Sequence, residues 1–148
     1  MIYVGIDPGK KGAVAYLMES EHGFVENVHA IDDLPQLLHR LLRTGQPIRC
    51  CLEQVHAMPK QGVSSTFAFG MNFGWCKGLL TAHGISYQEI PPRKWKAEFG
   101  LNSDKAESIA VCRKLFPDAN LKVSDRARTD NDGMAEALLM AEYARRKL

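Results

Sequence analysis

Ile48-Arg49-Cys50-Cys51-Leu52 is a nearly continuous apolar run that stops abruptly at Glu53. Such a run is expected of a central strand covered on both faces. A strand of that kind needs layers above and below it, which constrains the rest of the chain to an α/β arrangement. Ile2-Tyr3-Val4-Gly5-Ile6-Asp7 is a second short run, ended by Pro8-Gly9. Residues 13–18 and 24–30 follow, separated by the polar Glu19-Ser20-Glu21-His22-Gly23, so the chain is predicted to begin with three antiparallel strands. Leu34, Leu37, Leu38, Leu41 and Leu42 then recur at helical spacing. Asp32 or Asp33 is the expected cap, Pro35 falls in the first turn and Gly45 closes the helix. Further on, the pattern predicts a long helix over residues 63–83, a strand over 85–90 and short and longer helices over 93–99 and 103–115. A loop over 117–130 and a final helix over 131–146 complete it. The sum is a mixed α/β layer fold around one sheet, expected to form a single domain over residues 1–148.

The composition, 45% hydrophobic and 24% charged, is that of a globular protein and excludes disorder or a fibre. No apolar stretch approaches the roughly 20 residues of a membrane span. Met1-Ile2-Tyr3-Val4 leads straight into structured sequence, so neither a secretory leader nor a membrane partner is expected. Cys50, Cys51, Cys76 and Cys112 lack CxxC spacing or a histidine cluster. They read as buried reduced thiols of a cytoplasmic protein. Charge is unevenly divided. Residues 1–57 carry 5 basic and 7 acidic side chains, a net of −2. Residues 58–128 carry 11 and 6, a net of +5, and residues 129–148 carry 3 and 4, a net of −1. A basic middle between acidic ends suits a polyanion held over a carboxylate site.

The acidic positions are specific. Asp7 closes the first strand before Pro-Gly, and Glu53 closes the buried one. If those strands are parallel neighbours, their ends lie about 5 Å apart, so both carboxylates meet at one edge of the sheet. Asp132 and Glu136 lie four apart on the final helix and share a face. Glu136 sits among Ala135, Ala137, Leu138 and Leu139, where a carboxylate needs a partner. Singly, each acid has an ordinary structural explanation: a turn residue at Asp7, a strand end at Glu53, a helix cap at Asp132. Jointly they make an oxygen-only donor set that favours Mg²⁺ or Mn²⁺ over zinc. A pair of cations relieves the repulsion of crowded carboxylates and can activate water against a phosphodiester.

Five segments carry a resemblance to a known family. They are Gly5-Ile6-Asp7-Pro8-Gly9, Leu52-Glu53-Gln54-Val55, Phe73-Gly74-Trp75-Cys76-Lys77-Gly78-Leu79, Pro92-Arg93-Lys94-Trp95-Lys96 and Asp132-Gly133-Met134-Ala135-Glu136-Ala137-Leu138. In this order, and over almost the whole chain, the sequence resembles the RuvC family of Holliday-junction resolvases, most of all its compact bacteriophage-type members. The resemblance implies an RNase H-like mixed five-stranded sheet, its first three strands antiparallel and the rest parallel, flanked by helices on both faces. It implies metal-dependent nicking of four-way or branched DNA by a homodimer, leaving 5′-phosphate and 3′-hydroxyl ends. Asp7, Glu53, Asp132 and Glu136 would be catalytic metal ligands, with Mg²⁺ as cofactor (two ions per site, Mn²⁺ substituting) and no nucleotide cofactor. Lys96 and Lys105 match basic residues that support the active site.

In the family's usual pattern the last two ligands stand three residues apart, which would fall at Gly133, so Asp130 is the substitute should Asp132 not serve. His56 matches the position of an aromatic that enters the junction centre, and Met58 is the alternative. Lys60, Arg93, Lys94, Arg126 and Arg128 are expected phosphate contacts. Phe67, Phe69, Phe73 and Trp75 are expected to pack in a core or a dimer interface. Ala68, Gly70, Gly74 and Gly78 suit close helix approach across such an interface. The place of action would be the cytoplasm, the host's if the chain is phage-encoded. A broader branched-DNA nuclease, a catalytically silent junction binder and a nucleotide-binding domain are the alternatives left open.

Overall fold

A computed structural model describes residues 1–148. Five strands form one sheet: β1 (Ile2–Asp7), β2 (Ala13–Ser20), β3 (Gly23–Ala30), β4 (Ile48–Glu53) and β5 (Ser86–Ile90), in the order β3-β2-β1-β4-β5. The first three pair antiparallel, while β4 runs parallel to both β1 and β5. After a 3-10 turn at Ile31–Asp33 comes α1 (Leu34–Leu42), and α2 (Val63–Ala82) joins β4 to β5. The last three helices are α3 (Pro92–Glu98), α4 (Lys105–Leu115) and α5 (Asp132–Lys147). The expected fold class and element order are both present. Asp33 occupies the cap position of α1 but makes no side-chain cap bond, because the 3-10 turn already leads the chain into the helix.

Strand alternation divides the core into two layers. Ile2, Val4 and Ile6 of β1 and Ile48, Cys50 and Leu52 of β4 pack with α1 and α2. Cys51 of β4 faces the opposite layer, built on α5 and including Trp95 of α3 and Cys112 of α4. Every residue of α5 from Gly133 to Ala144 is buried, so the helix forms the spine of this layer. It lies unusually close to β1. A Cβ on Gly5 would overlap the Ala137 carbonyl oxygen and the Ala141 amide nitrogen, so only glycine allows α5 to rest on the strand. All four cysteines are buried and free, and burial pushes the Cys51, Cys76 and Cys112 thiols up to about 12. That suits inert, reduced packing residues.

Along the long helix the aromatics divide between core and surface. Phe73 packs against the α1/α2 layer, but Phe67 is 68% exposed and Trp75 41% exposed. The reason is that α2 is apolar nearly all round, whereas the sheet covers only the side bearing Cys76 and Leu80. No helix is long and apolar enough to cross a membrane.

Candidate active site

The register places Asp7 beside Glu53. Ile6 pairs with Leu52 across the parallel β1–β4 ladder, and the two acids are the next residues along. Alternation turns both away from the α1/α2 layer and toward α5. At Asp7 the chain turns sharply, and the Gly9 amide donates to Asp7 Oδ1 at 3.1 Å. A Cβ on Gly12 would overlap the Asp7 carbonyl oxygen, so this turn closes only around glycine.

From above, α5 brings the second pair of acids. Asn131 caps the helix, its Oδ1 accepting from the Met134 amide at 3.0 Å. The cap role considered for Asp132 is thus taken by its neighbour, which frees the Asp132 carboxylate. Asp130 is engaged elsewhere. Its two oxygens accept from Arg113 Nε and Nη2 at 2.9 and 2.8 Å, and that guanidinium holds its carboxyl below the usual range. Asp132, four residues from Glu136, is the acid whose charge bears on Asp7. A Cβ built on Gly133 would lie 3.3 Å from Asp7 Oδ2, so the glycine between them keeps space beside that carboxylate.

Two lysines answer this negative charge. Lys96 Nζ lies 3.0 Å from Glu136 Oε1, and Lys105 Nζ lies 3.0 Å from Asp132 Oδ2. The buried Ser108 hydroxyl donates to Glu136 Oε1 at 3.1 Å, and the Trp95 indole donates to Glu53 Oε2 at 2.7 Å. Four carboxylates against two ammonium groups leave a deficit of two positive charges. Burial, foremost, and the charges of Glu136 and Asp132 raise the Asp7 carboxyl, against the Gly9 hydrogen bond that lowers it. Burial and the charge of Asp7 lift Glu53 from the ordinary 4.5 to about 7.

Because Glu53 holds its proton more tightly when folded, its contribution to stability is complete below about 4.5 and is lost as pH rises through 7. That loss is at most ~3 kcal/mol for the metal-free protein. Thermal melts should therefore show wild type losing more stability than Glu53→Gln between pH 5 and pH 8.

The donor set fits a hard divalent cation: oxygen ligands only, mutually repelling and short of positive charge. It is not a ready-made cage. No three Asp, Glu, His or Cys side chains stand together as a metal-holding group, and Lys96 and Lys105 engage Glu136 and Asp132 directly. A cation would enter by exchange with those ammonium groups.

Of the other expected contacts, His56, Met58 and Lys60 are exposed on the loop between β4 and α2, with Lys60 at a φ of 65°. Arg93 and Lys94 are exposed on α3, and Arg126 and Arg128 on the loop before α5. None of these seven joins the carboxylate cluster. Trp95, Ser108, Asn131 and Arg113 were not singled out by sequence reasoning. Only Ser108 had a local signal, lying one helical turn beyond Lys105. Ser108→Ala leaves the buried Glu136 with one donor fewer and should cost about 1 kcal/mol in a urea melt.

No family model matches the sequence. A stretch of 89 residues, 59% of this chain, is 33% identical to the chloroplastic Holliday junction resolvase MOC1 of Chlamydomonas reinhardtii. The chain spans only 10% of that protein's length. Among solved structures, Thermus thermophilus RuvC matches with a TM-score of 0.61 at 14% identity, over 95% of this chain and 91% of its own. T. thermophilus RuvC in complex with Holliday junction substrate matches with a TM-score of 0.61 at 15% identity, over 99% and 96%. The yeast mitochondrial Holliday junction resolvase Ydc2 follows with a TM-score of 0.53 at 16% identity, over 93% and 75%. The chain therefore has the RuvC-type, RNase H-like fold that the sequence led us to expect.

Proposed function

We propose that this chain is a metal-dependent endonuclease that resolves four-way DNA junctions by paired nicks. The observation that carries this reading is the meeting of Asp7 and Glu53 on one sheet rim beneath Asp132 and Glu136 of α5. Asp7, Glu53, Asp132 and Glu136 would hold Mg²⁺, one or two ions, with Mn²⁺ as a substitute. Bound there, the metal would supply a nucleophilic water and offset charge on the leaving oxygen. Lys96 and Lys105, released from their acidic partners, would lie beside the scissile phosphate and offset its developing charge. Lys60, Arg93, Lys94, Arg126 and Arg128 would hold the DNA backbone with salt-sensitive affinity. Met58, 67% exposed on its loop, or His56 beside it would part the bases at the branch point. The active unit would be a single nuclease domain acting in the cytoplasm.

Two nicks on opposed strands need two sites related by a two-fold axis, which a C₂ dimer supplies. The exposed apolar residues Val63, Phe67, Met71 and Trp75, spaced four apart along α2, support a dimer through this helix. Met71→Glu is expected to sediment as a monomer and to lose paired nicking. A Met71→Glu dimer would move the interface elsewhere.

The deciding experiment compares nicking of four-way, three-way and linear DNA in Mg²⁺. Preference for the four-way substrate is expected, and equal cutting of all three would make this a general nuclease. The lysine-bound state of Glu136 and Asp132 favours one second reading, a junction binder without catalysis. Stable junction binding with no nicking at any Mg²⁺ or Mn²⁺ concentration would establish it.

A further inference from the structure

Trp95 is a large, fully buried side chain with a single polar atom, the indole Nε1–H, which can only donate. That donor is directed at Glu53 Oε2 at 2.7 Å, a short distance for an N–H to a carboxylate. The ring belongs to the α5-side core, and Lys96 Nζ stands 5.3 Å from its centroid. The helix that bears it is fastened to α5 at its far end, where Glu98 pairs with Lys147 at 3.0 Å and Arg146 at 3.5 Å. The hydrogen bond thus comes from a fixed wall, not from a mobile surface side chain.

The contrast with the other acids gives this contact its meaning. Glu136 and Asp132 are held by ammonium groups, which neutralise them and compete with any incoming cation. Glu53 is held by a neutral donor, which fixes one carboxylate oxygen without setting a positive charge there to compete with a cation. A glutamate has three side-chain torsions, and orienting it beforehand removes an entropy cost from metal binding. We propose that Trp95 is a positioning residue for the metal site, its indole N–H setting the Glu53 carboxylate to receive a divalent cation. This role rests on the nuclease reading above and adds a residue to it.

Trp95→Phe keeps an aromatic ring in the core and removes only the donor group and part of the ring area. Mn²⁺ titrated into the DNA-free protein should bind about tenfold more weakly to this variant. The Mg²⁺ concentration for half-maximal nicking should rise by a similar factor, while the rate at saturating Mg²⁺ returns close to that of wild type. A purely structural tryptophan would lower the melting temperature without changing metal affinity.

Indole resonances provide a second readout in the unaltered protein. Of the two tryptophans, the Trp95 N–H signal should move as Mg²⁺ is added, and Glu53→Gln should abolish that response. If wild type binds Mn²⁺ and nicks DNA but folded Trp95→Phe binds Mn²⁺ equally well, the inference fails and the nuclease reading stands. If wild type binds no Mn²⁺, both fall together. Should Trp95→Phe not fold, the wild-type indole titration decides, and a resonance indifferent to Mg²⁺ overturns the role.

Discussion

Asp7→Asn is expected to give a folded protein that still retains branched DNA but nicks it at least ~10³-fold more slowly. The substitution removes charge while keeping shape. An asparagine oxygen can still accept from the Gly9 amide, so the turn that follows β1 survives. The groups proposed to grip DNA phosphates lie outside the carboxylate cluster and are untouched. What disappears is the acid facing Glu53, Asp132 and Glu136 together, the one whose charge bears on all the others. Relief of that repulsion should leave the metal-free variant no less stable than wild type. Nicking of a labelled junction, with a gel-shift in the absence of Mg²⁺, tests both halves. Undiminished nicking would place the chemistry away from this rim.

Gly5→Ala is expected to be the most damaging single-methyl change in the sheet, costing about 3 kcal/mol or more in a urea melt. Its new methyl would meet helix backbone rather than the yielding end of a side chain, with the Met140 carbonyl carbon 2.8 Å away. Neither β1, at the centre of the sheet, nor the fully buried α5 can give way cheaply. Any relief must lift α5 from the strand, and α5 carries Asp132 and Glu136. Loss of stability and loss of divalent-cation affinity should therefore appear together. A Gly5→Ala protein as stable as wild type would show that the close packing of α5 on β1 is not needed.

The parts of this site legible in the sequence are those fixed by local pattern. Asp7 and Glu53 each end an apolar strand, and alternation alone puts them on matching faces once the strands are neighbours. Asp132 and Glu136 share a helix face by spacing. What the sequence left illegible lies in contacts between distant segments. Arg113 engages Asp130 from 17 residues away and occupies both of its carboxylate oxygens. Trp95 reaches Glu53 across 42 residues, and nothing near either residue announces that pairing. The aromatics of α2 were harder for a different reason. A helix that is apolar on every side has no periodicity to say which side the sheet will cover, so Phe67 and Trp75 could not be told from Phe73.

The place of α5 in chain order has a consequence for biosynthesis. A ribosome delivers β1 and β4, with half of the acidic groups, well before it delivers the helix that completes the constellation and seals that face of the sheet. Until α5 is made, that face of the sheet lacks its cover and the rim carries Asp7 and Glu53 alone. Removing α5 should therefore cost two of the four proposed ligands and the spine of one core layer at once.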